Sequence, residues 1–238
     1  AGGMEYPTLI TAGTTFAINT WPFQNIRQPR ETVVHEFGHN FWYGLVGNNE
    51  FEEAWLDEGM NSYSTSKVME ASYGREAASA ELFGFKFNPF LTARLLNDPS
   101  RKYDRVRQSS WSYLTGSYGF YSYTKPELLL KTLENHLGEA TMARILRTYH
   151  ERFRFRHPSS DDLYAVANEV SGTDLRWYFE QAVEGDSILD YEISRASCES
   201  LRFSDASTAF HKLWRSASQG AAPSGSRISL WRTSRLRP

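Results

Sequence analysis

Cysteine is almost missing from this chain. One residue, Cys198, stands among 238. No disulfide can form within the chain, so stability has to come from a packed core. That fits a reducing compartment without requiring one. Long apolar runs are missing too: no stretch of about 18 apolar residues occurs, so nothing here reads as a transmembrane helix. No secretory signal pattern is visible, and nothing assigns a compartment. An excess of either charge is also lacking. Lys and Arg number 26 against 28 Asp and Glu, for a formal net charge of −2. That balance gives no reason to expect nucleic acid or an anionic membrane as a partner. What is present is 40% hydrophobic and 15% aromatic sequence, enough for one sizeable core.

Histidine is scarce as well, six in all, yet two fall within five residues: His35-Glu36-Phe37-Gly38-His39. This is H-E-x-x-H. On a helix, positions four apart stack on one face, which lets both imidazoles reach one metal ion. Glu36 then stands beside that ion, where a general base for an activated water belongs. A catalytic zinc keeps three protein ligands and one open position, so a third ligand is needed. Trp55-Leu56-Asp57-Glu58-Gly59 follows, with Glu58 the natural candidate. Val33, Val34, Phe37 and Phe41 run an apolar stripe through the motif at helical spacing.

In these segments the sequence closely resembles the gluzincin aminopeptidases of the membrane alanyl aminopeptidase and leukotriene hydrolase family. That family joins H-E-x-x-H to a glutamate inside W-L-x-E-G; here the segments read HEFGH and WLDEG. Its G-x-M-E-N motif stands as Gly2-Gly3-Met4-Glu5-Tyr6, with tyrosine for asparagine. Its Y-x-K-G stands as Tyr123-Thr124-Lys125-Pro126, with proline for glycine. The resemblance covers about residues 1 to 185. It implies one Zn²⁺ on His35, His39 and Glu58, with Glu36 as base. It further implies Tyr123 as hydrogen-bond donor to the oxyanion, with Tyr118 as runner-up. Gly2, Gly3, Met4 and Glu5 would meet the substrate, Glu5 holding the free α-amine of a peptide. The implied fold is α+β and mostly helical: a thermolysin-like zincin catalytic domain with a small N-terminal sheet, then helices. The chain opens inside a family motif and so reads as a fragment without the family's N-terminal β-domain.

Taken in order, Thr8–Thr11 and Thr14–Ile18 read as short strands split by Gly13. Pro29 precedes a helix over about 30–43, and a second helix runs from Glu53 to Tyr73, with Met60, Val68 and Met69 as core. A helix is expected over 77–97. The aromatic, glycine-rich stretch from Trp111 to Tyr123 suits a pocket wall. Helices follow over 126–137, 139–153, 160–170 with Ser160 as N-cap, and 174–183. Arg144, Arg147, Arg152, Arg154 and Arg156 form a solvated face, and His136, His150 and His157 read as surface histidines. Residues 188–193 read as a strand. From residue 195 on, Ser, Arg and Ala dominate without period, so 186–238 is expected to be a strand and a low-order tail. The function expected is removal of N-terminal amino acids from peptides. Two alternatives remain: a zinc endopeptidase of thermolysin type, and a non-catalytic scaffold of the same fold.

Overall fold

Residues 3–12 fold back on themselves as a hairpin in the computed structural model, which describes residues 2–14, 16–95 and 104–186. Strand β1 (Gly3–Tyr6) pairs antiparallel with β2 (Leu9–Ala12), Glu5 opposite Ile10. Thr8 takes a φ of 65° in the turn between them, the hand that tight hairpins favour because it matches strand twist. The glycine-methionine-glutamate motif is thus itself a strand. The second strand expected over Thr14–Ile18 does not form; a 3-10 turn, Phe16–Asn19, stands there.

Helix α1 (Gln28–Gly38) includes Pro29 in its first turn, where the missing N–H has no helical partner to lose. It ends a turn earlier than expected, with His39 as its C-cap. Its apolar stripe exists but faces outward. Val33, Phe37 and Phe41 are 46%, 57% and 44% exposed, and Glu36 is the helix's one buried residue. Together with Ile10, Val34 and Val68, these side chains line an apolar hollow of about 390 Å³. Val68 is therefore surface rather than core, whereas Met60 and Met69 are buried as expected.

The second long helix is interrupted. α2 (Glu50–Ala54) breaks at Glu53, whose φ is −142°; a π turn spans Trp55–Gly59; α3 (Met60–Tyr73) continues from it. The helix expected over 77–97 is instead a second hairpin, β3 (Ala80–Leu82) with β4 (Phe85–Phe87), followed by α4 (Pro89–Leu95). Phe83 and Gly84 both have positive φ, 52° and 83°, which no helix accommodates. Asn88 Oδ1 then accepts from the N–H groups of Phe90 and Leu91 and starts α4.

The aromatic stretch does not line a pocket throughout. Tyr113, Phe120 and Tyr121 pack on the core. A second π turn, Phe120–Thr124, feeds directly into α5 (Lys125–Leu137). α6 (Glu139–Phe153), α7 (Ser160–Ser171) and α8 (Arg176–Ala182) close the core, with Met142, Ile145, Tyr149, Leu163 and Val166 buried. Ser159, not Ser160, caps α7: its N–H donates to Asp162 Oδ2 at 2.9 Å. Ser160 Oγ instead accepts from Trp55 Nε1 at 3.0 Å. The five arginines of the basic face are exposed, as are His136 and His157; His150 is half-buried edge-on to Trp42. The strand over 188–193 and the tail from 195 lie outside the described residues.

The two π turns rest on each other. A Cβ on Gly59 would stand 2.5 Å from Pro126 Cβ and 3.1 Å from the Ser122 carbonyl oxygen. The proline found where the resembling family has glycine is thus the surface that Gly59 lies against. Overpacking a buried contact costs about 1–3 kcal/mol. Gly59→Ala is expected to lower Tm by roughly 2–10 °C in scanning calorimetry. An unchanged Tm would contradict this close approach.

Candidate metal centre and cleft

Helix α1 stacks His35 and His39 one turn apart. Their Nε2 atoms are 3.2 Å apart and the rings meet edge to face, 86° between planes. The first π turn aims Glu58 at the pair: Oε2 lies 3.1 Å from His35 Nε2 and 3.3 Å from His39 Nε2. Such a turn inserts one residue into the helical winding and so re-aims its side chains, a recurrent feature of functional sites. The three donor atoms form a nearly equilateral triangle. Ligand atoms roughly 2.0–2.1 Å from a tetrahedral zinc lie roughly 3.3–3.4 Å from one another. Two imidazole nitrogens and one carboxylate oxygen at this spacing fit that ion.

Electrostatics point the same way. Burial would lower the His39 imidazole, but hydrogen bonds to Asp57 and Glu58 outweigh it and push it up to about 10. Burial would raise the Glu58 carboxyl, yet hydrogen bonds from His35, His39 and Tyr123 hold it at about 2. Both shifts show that positive charge is favoured where these groups converge, and a bound metal ion would take the place of the His39 proton.

Around the triangle stand residues with distinct partners. His39 Nδ1 lies 2.7 Å from Asp57 Oδ1, and Asp57 is fully buried. A carboxylate at Nδ1 fixes the ring tautomer and leaves Nε2 as the free donor. The Tyr123 hydroxyl donates to Glu58 Oε1, and its ring stacks on His35 at 5.8 Å. Burial and the Glu58 charge raise the phenol, so it stays protonated. Tyr118 stands edge-on to Tyr123 at 6.3 Å and is absent from the cleft lining. Glu36 is 6% exposed, and burial raises its carboxyl. Ligand atoms of Glu5, Glu36 and His39 lie within 4.8 Å of one another. β1 passes directly over Glu36: a Cβ on Gly3 would collide with that carboxyl group.

All nine residues singled out from the sequence border one cleft of about 580 Å³: Gly2, Gly3, Met4, Glu5, His35, Glu36, His39, Glu58 and Tyr123. The sequence reading missed Asp57, which occupies the variable position of W-L-x-E-G. It also missed Glu31 and Glu127 on the cleft wall. Glu31 precedes His35 by four residues and Glu127 follows Tyr123 by four, so same-face helical spacing from known positions was the signal that would have found them.

A helix carrying H-E-x-x-H, a carboxylate as third donor from the next helical run and a small N-terminal sheet define the class of H-E-x-x-H metallopeptidase folds. Residues 1–181 match the Peptidase family M1 domain, and the chain belongs to that family. It is 24% identical over 185 residues to the mitochondrial aminopeptidase 2 of Saccharomyces cerevisiae, covering 74% of this chain and 19% of that protein. Among solved structures, yeast LTA4 hydrolase in complex with bestatin superposes with a TM-score of 0.59 at 18% identity, covering 80% of this chain and 31% of that one. A mutant M1 zinc metallopeptidase from Deinococcus radiodurans, bound to a Tyr-Ser-Ala substrate, gives 0.54 at 20% identity, covering 79% and 38%. The chain spans about a fifth of the length of the curated relatives it matches.

Outer carboxylates that orient a ligating histidine typically contribute 10–100-fold in metal affinity. Asp57→Asn is expected to weaken zinc binding by about that factor in chelator competition at neutral pH. Equal affinity in the two proteins would remove Asp57 from the site.

Proposed function

We propose that the protein is a zinc-dependent aminopeptidase, with residues 1–185 as its catalytic domain. The observation that carries this reading is the 3.1–3.3 Å donor triangle in a cleft that also holds Glu36 and Glu5. His35, His39 and Glu58 would hold one zinc ion. Bound there, zinc supplies a Lewis acid for the scissile carbonyl and lowers the pKa of water toward neutrality.

The remaining work falls to the chain's own groups. Glu5 binds the peptide ammonium through charge-assisted hydrogen bonds, which are stronger than neutral ones. With the amine held there, the first peptide bond is the one placed over the histidines. Glu36 takes the proton of the attacking water and passes it to the leaving amine. Burial raises its carboxyl from the ordinary value, which suits a group that must both accept and return a proton. Tyr123 keeps its own proton and donates to the developing oxyanion. The Tyr-Ser-Ala peptide held by the Deinococcus radiodurans relative supports a peptide as the substrate class.

Two variants test the roles. Glu36→Gln is expected to lose at least about 10²-fold in kcat, the lower end for general acid–base catalysis, while keeping stoichiometric zinc. Loss of the metal in this variant would refute the assignment. Glu5→Gln removes a hydrogen bond to a charged group, so kcat/KM for a free N-terminus is expected to fall roughly 10–150-fold, mainly through KM. N-acetylated peptides should be poor substrates for the wild type. Equal cleavage of acetylated and free peptides, unchanged in Glu5→Gln, would replace this reading with an endopeptidase.

A further inference from the structure

One end of the cleft takes no part in that chemistry. There α1, α3 and α5 meet, and Glu31, Thr65, Ser66 and Glu127 border the opening. Glu127 is 9% exposed and Thr65 3%. Ser66 Oγ donates to Glu127 Oε1 at 2.6 Å. The Thr65 hydroxyl is wholly buried and has no hydrogen-bond partner. No Lys or Arg lines the cleft, and none offsets the charge of either glutamate. Burial raises both carboxyls, Glu127 to about 8, with Glu31 adding to the effect. Desolvation penalises the ionised form, so without a nearby cation these carboxyls tend to keep their protons, His35 alone opposing the rise at Glu31. Nor do the two belong to either group of three close metal donors among the described residues.

We infer that this end of the cleft is a subsite for the cationic side chain of a peptide substrate, a lysine or arginine close to the cleaved bond. The inference rests on the aminopeptidase reading for the way a peptide enters the cleft. An ammonium or guanidinium placed between Glu31 and Glu127 would favour their ionised forms and make charge-assisted hydrogen bonds with them. The Thr65 and Ser66 hydroxyls supply neutral acceptors beside it.

The test uses the zinc-loaded Glu36→Gln protein, where turnover is slowed and binding can be read by calorimetry. Two dipeptide pairs are compared: Arg-Ala against norleucyl-Ala, and Ala-Arg against Ala-norleucine. In one pair, arginine is expected to bind about tenfold or more tightly. Adding Glu127→Gln, or separately Glu31→Gln, should collapse that ratio toward unity. The second variant leaves the more deeply buried carboxyl in place, so the result does not hinge on one substitution folding. Equal binding within both pairs would overturn the inference. So would an arginine preference that survives both variants, since the cation would then be held elsewhere. Hydrolysis of the four dipeptides by the wild type is followed in parallel. If none is cleaved while the arginine preference persists, the aminopeptidase reading fails and the cationic subsite stands.

Discussion

Three donor atoms have to meet within 3.3 Å, and the rest of the structure is arranged to bring them there. Two come from consecutive turns of α1, so their spacing costs nothing beyond forming the helix. The third depends on how the next helical run is held. Asn61 Nδ2 donates to the His35 carbonyl at 2.6 Å and ties the end of α1 to α3. Trp55 and Leu56 bury their side chains on the other side of the π turn, and Trp55 Nε1 is anchored on Ser160. Gly59 lets the second π turn approach, which brings Tyr123 onto Glu58. The fold thus holds the three donors in place with apolar burial and hydrogen bonds set around the cleft.

α1 shows what this arrangement demands. A helix on a protein surface ordinarily turns its apolar stripe to the core. Here Glu36 is buried, and Val33 and Phe37 are left exposed. The helix is held through the hairpin, α3 and its polar face rather than through its own apolar side chains. The same inversion loads the cleft with carboxylates: Glu5, Glu31, Glu36, Glu50, Glu58 and Glu127 all border it, with no Lys or Arg among the lining residues. Six carboxyl groups in one concavity with no Lys or Arg favour positive charge there, and those that are ionised focus a negative potential. In the proposed reading, zinc, a peptide ammonium and a basic side chain answer that potential at three separate points.

The sequence carried the site better than the fold around it. His35, Glu36 and His39 were legible because coordination chemistry dictates residue type and helical spacing together. Glu58, Tyr123 and Glu5 became legible through motifs standing in family order. The π turns left no such trace, since a five-residue winding has no apolar period of its own; they appear only where Trp55–Gly59 and Phe120–Thr124 pack together. The hairpin over 80–87 was hidden by helix-compatible composition, and the Phe83-Gly84 turn that decides it is a conformational rather than a compositional signal. The direction of the stripe on α1 was not legible at all: periodicity reports that a face exists, and the polar demands of the site decide which way it points. Asp57 escaped for a simpler reason, because a motif's variable position hides a residue that acts through its neighbour.

The central claim is that His35, His39 and Glu58 hold one zinc ion. Crystals of the zinc-loaded protein, measured on both sides of the zinc absorption edge, test it most directly. The account predicts one strong anomalous peak roughly 2.0–2.2 Å from His35 Nε2, His39 Nε2 and a Glu58 carboxylate oxygen. A peak at other residues, or none within the triangle, would contradict it.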